Sequence, residues 1–242
     1  MIIKLPFTSY SLRIERDLID AKQKHTKIQS VVFNKNYDKI FVIGLGKTGT
    51  TSLAKTLKLF GFTLGNQAVA EVLSEDWALR RDPNRIIRYC YTADAFQDLP
   101  FNLPGLYKEL DQAFPNSKFI LTVRDDPDQW FQSLIKFHAK KFSIDGTTTP
   151  DEKDLKNALY RYKGFLLDAK KNFWGYPQVP LYDPHVYKKR YLDHIFSVEK
   201  YFSGRNMNFL KINIAKNDDL IRLCDFLQIN TNLKQFPWEN KT

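Results

Sequence analysis

The feature that most constrains this chain is a short apolar run, Ile40-Phe41-Val42-Ile43, that passes directly into Gly44-Leu45-Gly46-Lys47-Thr48-Gly49-Thr50-Thr51. Consecutive apolar residues without polar alternation fit a strand buried on both faces, the kind found inside a parallel sheet. Leu53, Leu57 and Phe60 then recur at helical spacing, and Gly61 stands where a helix C-terminal glycine belongs. A buried strand, a glycine loop and a helix in immediate succession leave few folds open. Glycines let loop N–H groups turn inward, and the helix start adds partial positive charge, so the loop suits a phosphate.

The lysine of this loop is displaced. The Walker A pattern is G-x-x-x-x-G-K-[ST], in which the lysine reaches the β- and γ-phosphates and the next hydroxyl holds magnesium. Counting from Gly44, Gly49 is in register, but Thr50 stands where the lysine belongs and the cation sits earlier, at Lys47. An ammonium inside the loop can neutralise a leaving phosphate without a metal. The bland alternative is a glycine turn carrying an exposed lysine; strand, glycines, lysine and helix in this order favour phosphate binding.

Phe119-Ile120-Leu121-Thr122-Val123 is a second buried-strand candidate, and Asp126-Pro127-Asp128-Gln129 after it opens a helix with a side-chain cap and a first-turn proline. Thr149-Pro150-Asp151-Glu152 reads as a capping box, with Leu155, Leu159, Tyr162, Leu166 and Ala169 on one helical face. Tyr187, Tyr191, His194, Ile195, Val198 and Phe202 mark a further helix closed by Gly204. Met207 to Ile214 reads as a strand, and Asn217 as the cap of a last helix through Leu227. Strands separated by helices predict an α/β fold, a parallel β-sheet flanked by helices. Residues 1–38 read as a polar lead-in, helical over 10–28 and packed on the domain, and 39–242 as a single domain.

Composition narrows the function. In 242 residues, 43% are apolar, which excludes wholesale disorder, and no apolar run is long enough to span a bilayer. The N-terminal stretch is interrupted by charges too early for a signal-peptide core, so a soluble, cytoplasmic chain is expected. Two cysteines, Cys90 and Cys224, and four scattered histidines make neither a disulfide framework nor a zinc site. The net charge of +10 suits a polyanionic partner: nucleic acid, an acidic membrane or a multiply phosphorylated cofactor.

Lys47-Thr48-Gly49-Thr50-Thr51 after a buried strand resembles the 5′-phosphosulfate loop of the sulfotransferases that use 3′-phosphoadenosine-5′-phosphosulfate (PAPS). The resemblance extends over roughly residues 39–242. In FILTVRDDPDQWFQS it places Arg124 and Ser133 on the cofactor's 3′-phosphate. The interval between them is one residue longer than in the family, which leaves Gln132 as an alternative to Ser133. In Phe96-Gln97-Asp98-Leu99-Pro100, Asp98 falls where cytosolic members carry the histidine base, and Asp94 is its nearby rival. Tyr191 to Phe202, Asn208 to Ile214 and the tail from Phe236 to Thr242 resemble the closing elements of bacterial members. The Arg-Lys-Gly of the animal enzymes is missing, and Lys241 is offered in its place.

The resemblance implies a three-layer, P-loop NTPase-like fold and transfer of a sulfuryl group from PAPS to a hydroxyl, leaving adenosine 3′,5′-bisphosphate (PAP). Gly46, Lys47, Thr48, Gly49, Thr50 and Thr51 would hold the 5′-phosphate, Lys47 would stabilise the leaving group, and Asp98 would be the base. No metal and no nucleic acid are expected; the acceptor is a carbohydrate or small molecule. Residues 140–182 fall where the family places acceptor-contacting elements, and read as a lid. His138, His194, Trp130, Phe131 and Phe137 read as packing, and Lys188-Lys189-Arg190 as a solvated face. Two rivals stand beside this: a kinase with a rearranged phosphate loop, using Asp94 or Asp125 for magnesium, and a nucleic-acid-binding module relying on charge and aromatics.

Overall fold

The computed structural model describes residues 37–237; the expected lead-in helix over 10–28 and Lys241 lie outside them. Strands β1 (Ile40–Val42), β2 (Ala95–Gln97), β3 (Lys118–Thr122) and β4 (Phe209–Ile212) form one parallel sheet in the order β2-β1-β3-β4. Phe41 pairs in register with Phe96 on one side and Phe119 on the other. Successive strand residues point to opposite faces. Phe41, Ile43, Phe96 and Phe119 therefore pack into one cluster, with Tyr107, Val198 and Phe202 from helices. Ile40, Val42, Ile120 and Ile212 pack on the opposite face with Leu53, Leu57, Leu220 and Leu223. Helices cover both faces, so the fold is the three-layer α/β arrangement expected from the apolar runs.

Helix α1 (Thr50–Leu59) follows β1, and Gly61, at φ 87°, donates its N–H to the Lys58 carbonyl as a helix-closing glycine. Helices α2 (Gln67–Val72), α3 (Ser74–Arg80) and α4 (Asn84–Tyr89) fill the crossover to β2. α5 (Leu106–Ala113) leads to β3, and α6 (Pro127–Phe142) starts as expected, with Asp126 accepting from the Gln129 N–H at 2.7 Å. The remaining helices are α7 (Glu152–Asn157), α8 (Phe165–Trp174), α9 (Pro184–Tyr201) and α10 (Asp218–Leu227).

Three local expectations need correction. The helix expected from Thr149 through Ala169 is two helices. Asp151 rather than Thr149 caps the first, exchanging hydrogen bonds with Asp154, and Gly164, left-handed at φ 89°, begins the second. Leu159, in the break, is exposed. The last strand is shorter than Met207 to Ile214. Asn217 occupies the cap position of α10 without a side-chain hydrogen bond; Asp219 instead accepts from the Asn213 N–H at 2.7 Å. Among the described residues no helix is long and apolar enough to cross a membrane.

A third cluster, built from Trp130, Phe165, Tyr187 and Tyr191, joins α6, α8 and α9 and reaches Leu45 of the glycine loop. It stands over the C-terminal edge of the sheet, where parallel α/β folds bind their ligands.

Candidate active site

At Gly44 and Gly49 the glycine loop makes contacts that leave no room for a side chain. A Cβ on Gly44 would lie 2.1 Å from Thr122 Oγ1, because the ends of β1 and β3 meet there. Gly49 is left-handed at φ 96°, and a Cβ on it would lie 2.7 Å from the Ile214 side chain. Thr48 is buried, donating to the Leu45 carbonyl at 2.6 Å and meeting the Thr122 hydroxyl at 2.6 Å, so it anchors the loop to the sheet. Gly46, Lys47, Gly49, Thr50 and Thr51 border a cleft of about 1030 Å³. The first N–H groups of α1 have no intrahelical acceptor, and they open on that cleft.

Lys47 adopts the left-handed region at φ 74°. Its carbonyl accepts from Arg124 Nε at 2.8 Å, which ties the residue following β3 to the loop following β1. Arg124 is itself held by its backbone N–H, which donates to the Tyr191 hydroxyl at 2.9 Å. The Lys47 ammonium rests 3.9 Å from the centre of the Phe137 ring. Burial, then the neighbouring Arg124 charge, pull its pKa down to about 8, against the opposing pull of Asp98. Trp130 stacks on Tyr191 and donates its indole N–H to the Gly46 carbonyl at 3.0 Å, so this packing residue also buttresses the loop.

Asp98 follows β2 at the same edge, also left-handed, at φ 54°. Its Oδ2 accepts from the Thr50 hydroxyl at 3.0 Å. Burial pushes its pKa up to about 6, with the Glu71 charge adding to the rise and the Thr50 hydrogen bond and Lys47 opposing it. Asp94 precedes β2 and so sits at the opposite edge of the sheet, where its carboxylate accepts from the Thr63 N–H at 2.9 Å. Strand direction alone separates the two aspartates.

A model of the sulfotransferase domain matches residues 39–242. The chain belongs to the sulfotransferase family. No curated protein matches it.

In this sulfotransferase, α6 presents Trp130, Leu134, Phe137, His138 and Lys141 to the cleft, while Ser133 is buried on the helix and Gln132 is exposed. Asp125, the magnesium candidate of the kinase reading, accepts instead from Asn213 Nδ2 at 2.8 Å and Gln129 Nε2 at 3.1 Å. Among the described residues no group of three or more His, Cys, Asp or Glu is placed to hold a metal. Lys188 and Lys189 form surface ion pairs with Asp128 and Asp193, as a solvated face does. Arg190 departs from that reading: it is half-buried, donates to the Phe173 carbonyl at 2.6 Å and lies against Trp174.

Glu71 and Lys170 were not singled out from the sequence, and His138 and His194 were read there as packing, yet all four border the cleft. Glu71 on α2 pairs with Arg161 Nε at 2.5 Å and accepts from the Tyr160 hydroxyl at 3.3 Å. His138 is held neutral by burial and the field of neighbouring lysines, and its Nδ1 is 2.8 Å from the Tyr182 hydroxyl. His194 donates from Nε2 to the Ile43 carbonyl at 2.7 Å, but its buried Nδ1 has no partner among the described residues, so it is only half satisfied as a core histidine. Lys170, on α8, is buried to 4% exposure. Its only sequence signal was a charge inside the apolar stripe of Leu166 and Ala169.

Proposed function

We propose that this chain transfers the sulfuryl group of PAPS to the hydroxyl of a carbohydrate or small-molecule acceptor. One observation carries the reading: Lys47, Thr50, Asp98 and Arg124 converge at one edge of the sheet, with Arg124 bonded to the Lys47 carbonyl and Thr50 bonded to Asp98. Among the described residues neither the Lys47 ammonium nor the Arg124 guanidinium forms an ion pair, so two cations and a helix N-terminus are left to an anion with separated phosphates.

PAPS, when bound, supplies the sulfuryl group and leaves as PAP. The loop N–H groups, that of Thr50 included, and the Thr51 hydroxyl hold the 5′-phosphate, and Lys47 offsets the charge that builds on its bridging oxygen. Arg124 takes the 3′-phosphate, with Ser133 or Gln132 as its helix partner. Asp98 accepts the acceptor's proton; a carboxylate near pKa 6 is ionised at neutral pH yet more basic than an ordinary one. Thr50 fixes the direction of that carboxylate. Most of the acceleration comes from positioning and fixed dipoles. Residues 140–182, which bring Lys141, Tyr160 and Phe165 to the cleft, act as the acceptor-side lid. Protease cleavage within them should fall when PAP and acceptor are bound; unchanged cleavage would count against a lid.

Thermal unfolding tests the donor. PAP at about 100 times its dissociation constant should stabilise by about 2.7 kcal/mol, or roughly 5–10 °C for a chain of this size. A shift with PAP and none with ADP and magnesium supports the reading. The reverse pattern transfers the protein to the kinase class.

A further inference from the structure

Lys170 takes no part in donor binding or proton transfer, yet it is among the most buried lysines of the described residues, at 4% exposure, and it borders the cleft. Its ammonium hydrogen-bonds the Tyr187 hydroxyl at 3.1 Å and lies 4.1 Å from the centre of the Tyr182 ring. Among the described residues no carboxylate pairs with it. The other buried lysines end on backbone carbonyls away from the cleft, Lys39 on Ala93 and Lys118 on Met207. A desolvated ammonium with only neutral partners is costly, and burial alone pulls this one down to about 7. An anion beside it would remove that cost.

The surroundings say where such an anion belongs. Lys170, Lys47, Lys141 and His138 all border the same cleft, and the charges of the three lysines bear on the imidazole. Lys47 is committed to the donor. Of the carboxylates bordering the cleft other than Asp98, Glu71 pairs with Arg161 and Asp193 with Lys189. The cleft that holds Asp98 and Lys170 also has aromatic walls, including Phe137, Tyr160 and Trp174.

We infer that Lys170 is the anion-binding end of the acceptor subsite, and that the acceptor carries a carboxylate or sulfate on a flat apolar body in addition to the hydroxyl that is sulfated. The inference rests on the sulfuryl-transfer reading. Asp98 receives the hydroxyl end, Lys170 the anionic end, and the aromatic walls the body between them.

Calorimetric titration of the PAP-saturated protein with 4-hydroxyphenylacetate, 4-methylphenol and tyramine tests it, these phenols differing in charge at one end. The wild type should bind the carboxylate at least about tenfold more tightly than the other two, as a charge-assisted hydrogen bond warrants. Lys170→Met, of similar volume, should bind all three alike with PAP affinity unchanged, and Lys170→Arg should restore the order. 4-Hydroxyphenyl sulfate in place of the carboxylate shows which anion is preferred. No preference in the wild type, a measurement that needs no variant to fold, overturns the inference, as does a preference that survives Lys170→Met. Absence of PAP binding to the wild type sinks the donor reading instead, and the acceptor role of Lys170 with it.

Discussion

Replacing Asp98 by asparagine should make the protein more stable and less active, and the two effects have separate magnitudes. Folding raises the carboxyl pKa from an ordinary 3.8 to about 6, chiefly by burial. A group whose pKa is raised by folding contributes stability at low pH that is lost as pH climbs through its folded pKa. At about 1.4 kcal/mol per pH unit, up to about 3 kcal/mol disappears between pH 4 and pH 6. Asp98 is half-buried and opens on the cleft, so about 1–2 kcal/mol is the expected realised loss. The asparagine side chain carries no charge, can still accept from Thr50, and tolerates the left-handed φ of 54°. Asp98→Asn should therefore match the wild type near pH 3.5, below the unfolded pKa, and exceed it at pH 7.5, by roughly 2–8 °C in scanning calorimetry. Sulfuryl transfer should fall by about 10²–10⁴, the usual worth of a general base. A melting difference that does not grow with pH refutes the electrostatic argument, and full activity refutes the assignment of the base.

Other outcomes follow from the same geometry. The rate constant kcat/KM for the donor should be bell-shaped, with limbs near pH 6 and pH 8, because Asp98 must be deprotonated and Lys47 protonated; a flat profile across both would contradict these roles. Thr50→Ala removes a hydrogen bond that holds the Asp98 pKa down, so the acid limb should move above 6, and an unmoved limb argues against their coupling. Lys47→Gly should abolish transfer while stabilising the fold by about 1 kcal/mol, since Lys47 occupies a left-handed φ of 74° that glycine adopts freely; retained transfer would remove Lys47 from the chemistry. Gly44→Ala drives a methyl against Thr122 and should lower stability by more than about 2 kcal/mol in urea unfolding; a neutral result would mean that β1 and β3 part more easily than the structure implies.

What could be read from the chain, and what could not, divides along physical lines. β1, its loop and α1 were legible because a continuous apolar run, glycines and a helical period sit in one unbroken stretch. β2 escaped because Ala95-Phe96-Gln97 is too short to show a period, and its strand character comes from pairing with β1. The helices from Gln67 to Tyr89 were missed for want of a clean apolar face. The break at Gly164 was hidden because Leu159 and Tyr162 continue the helical spacing by coincidence. Lys47 and Arg124 stood out through their places after strands. Choosing between Asp94 and Asp98 required strand direction, which only the sheet supplies. Glu71 and Lys170 reach the cleft from distant segments, and nothing local marks them, while the aromatic neighbours of His138 on α6 made it read as packing.

The central claim is that the cleft recognises a nucleotide carrying a 3′-phosphate as well as a 5′-phosphate, and comparing PAP with AMP by calorimetry tests it most directly. With Arg124 reserved for the 3′-phosphate, PAP should bind the wild type at least about tenfold more tightly than AMP, the worth of a charge-assisted pair, and Arg124→Ala should erase most of that difference. Equal affinity for the two nucleotides, or a preference unaffected by Arg124→Ala, would contradict the account.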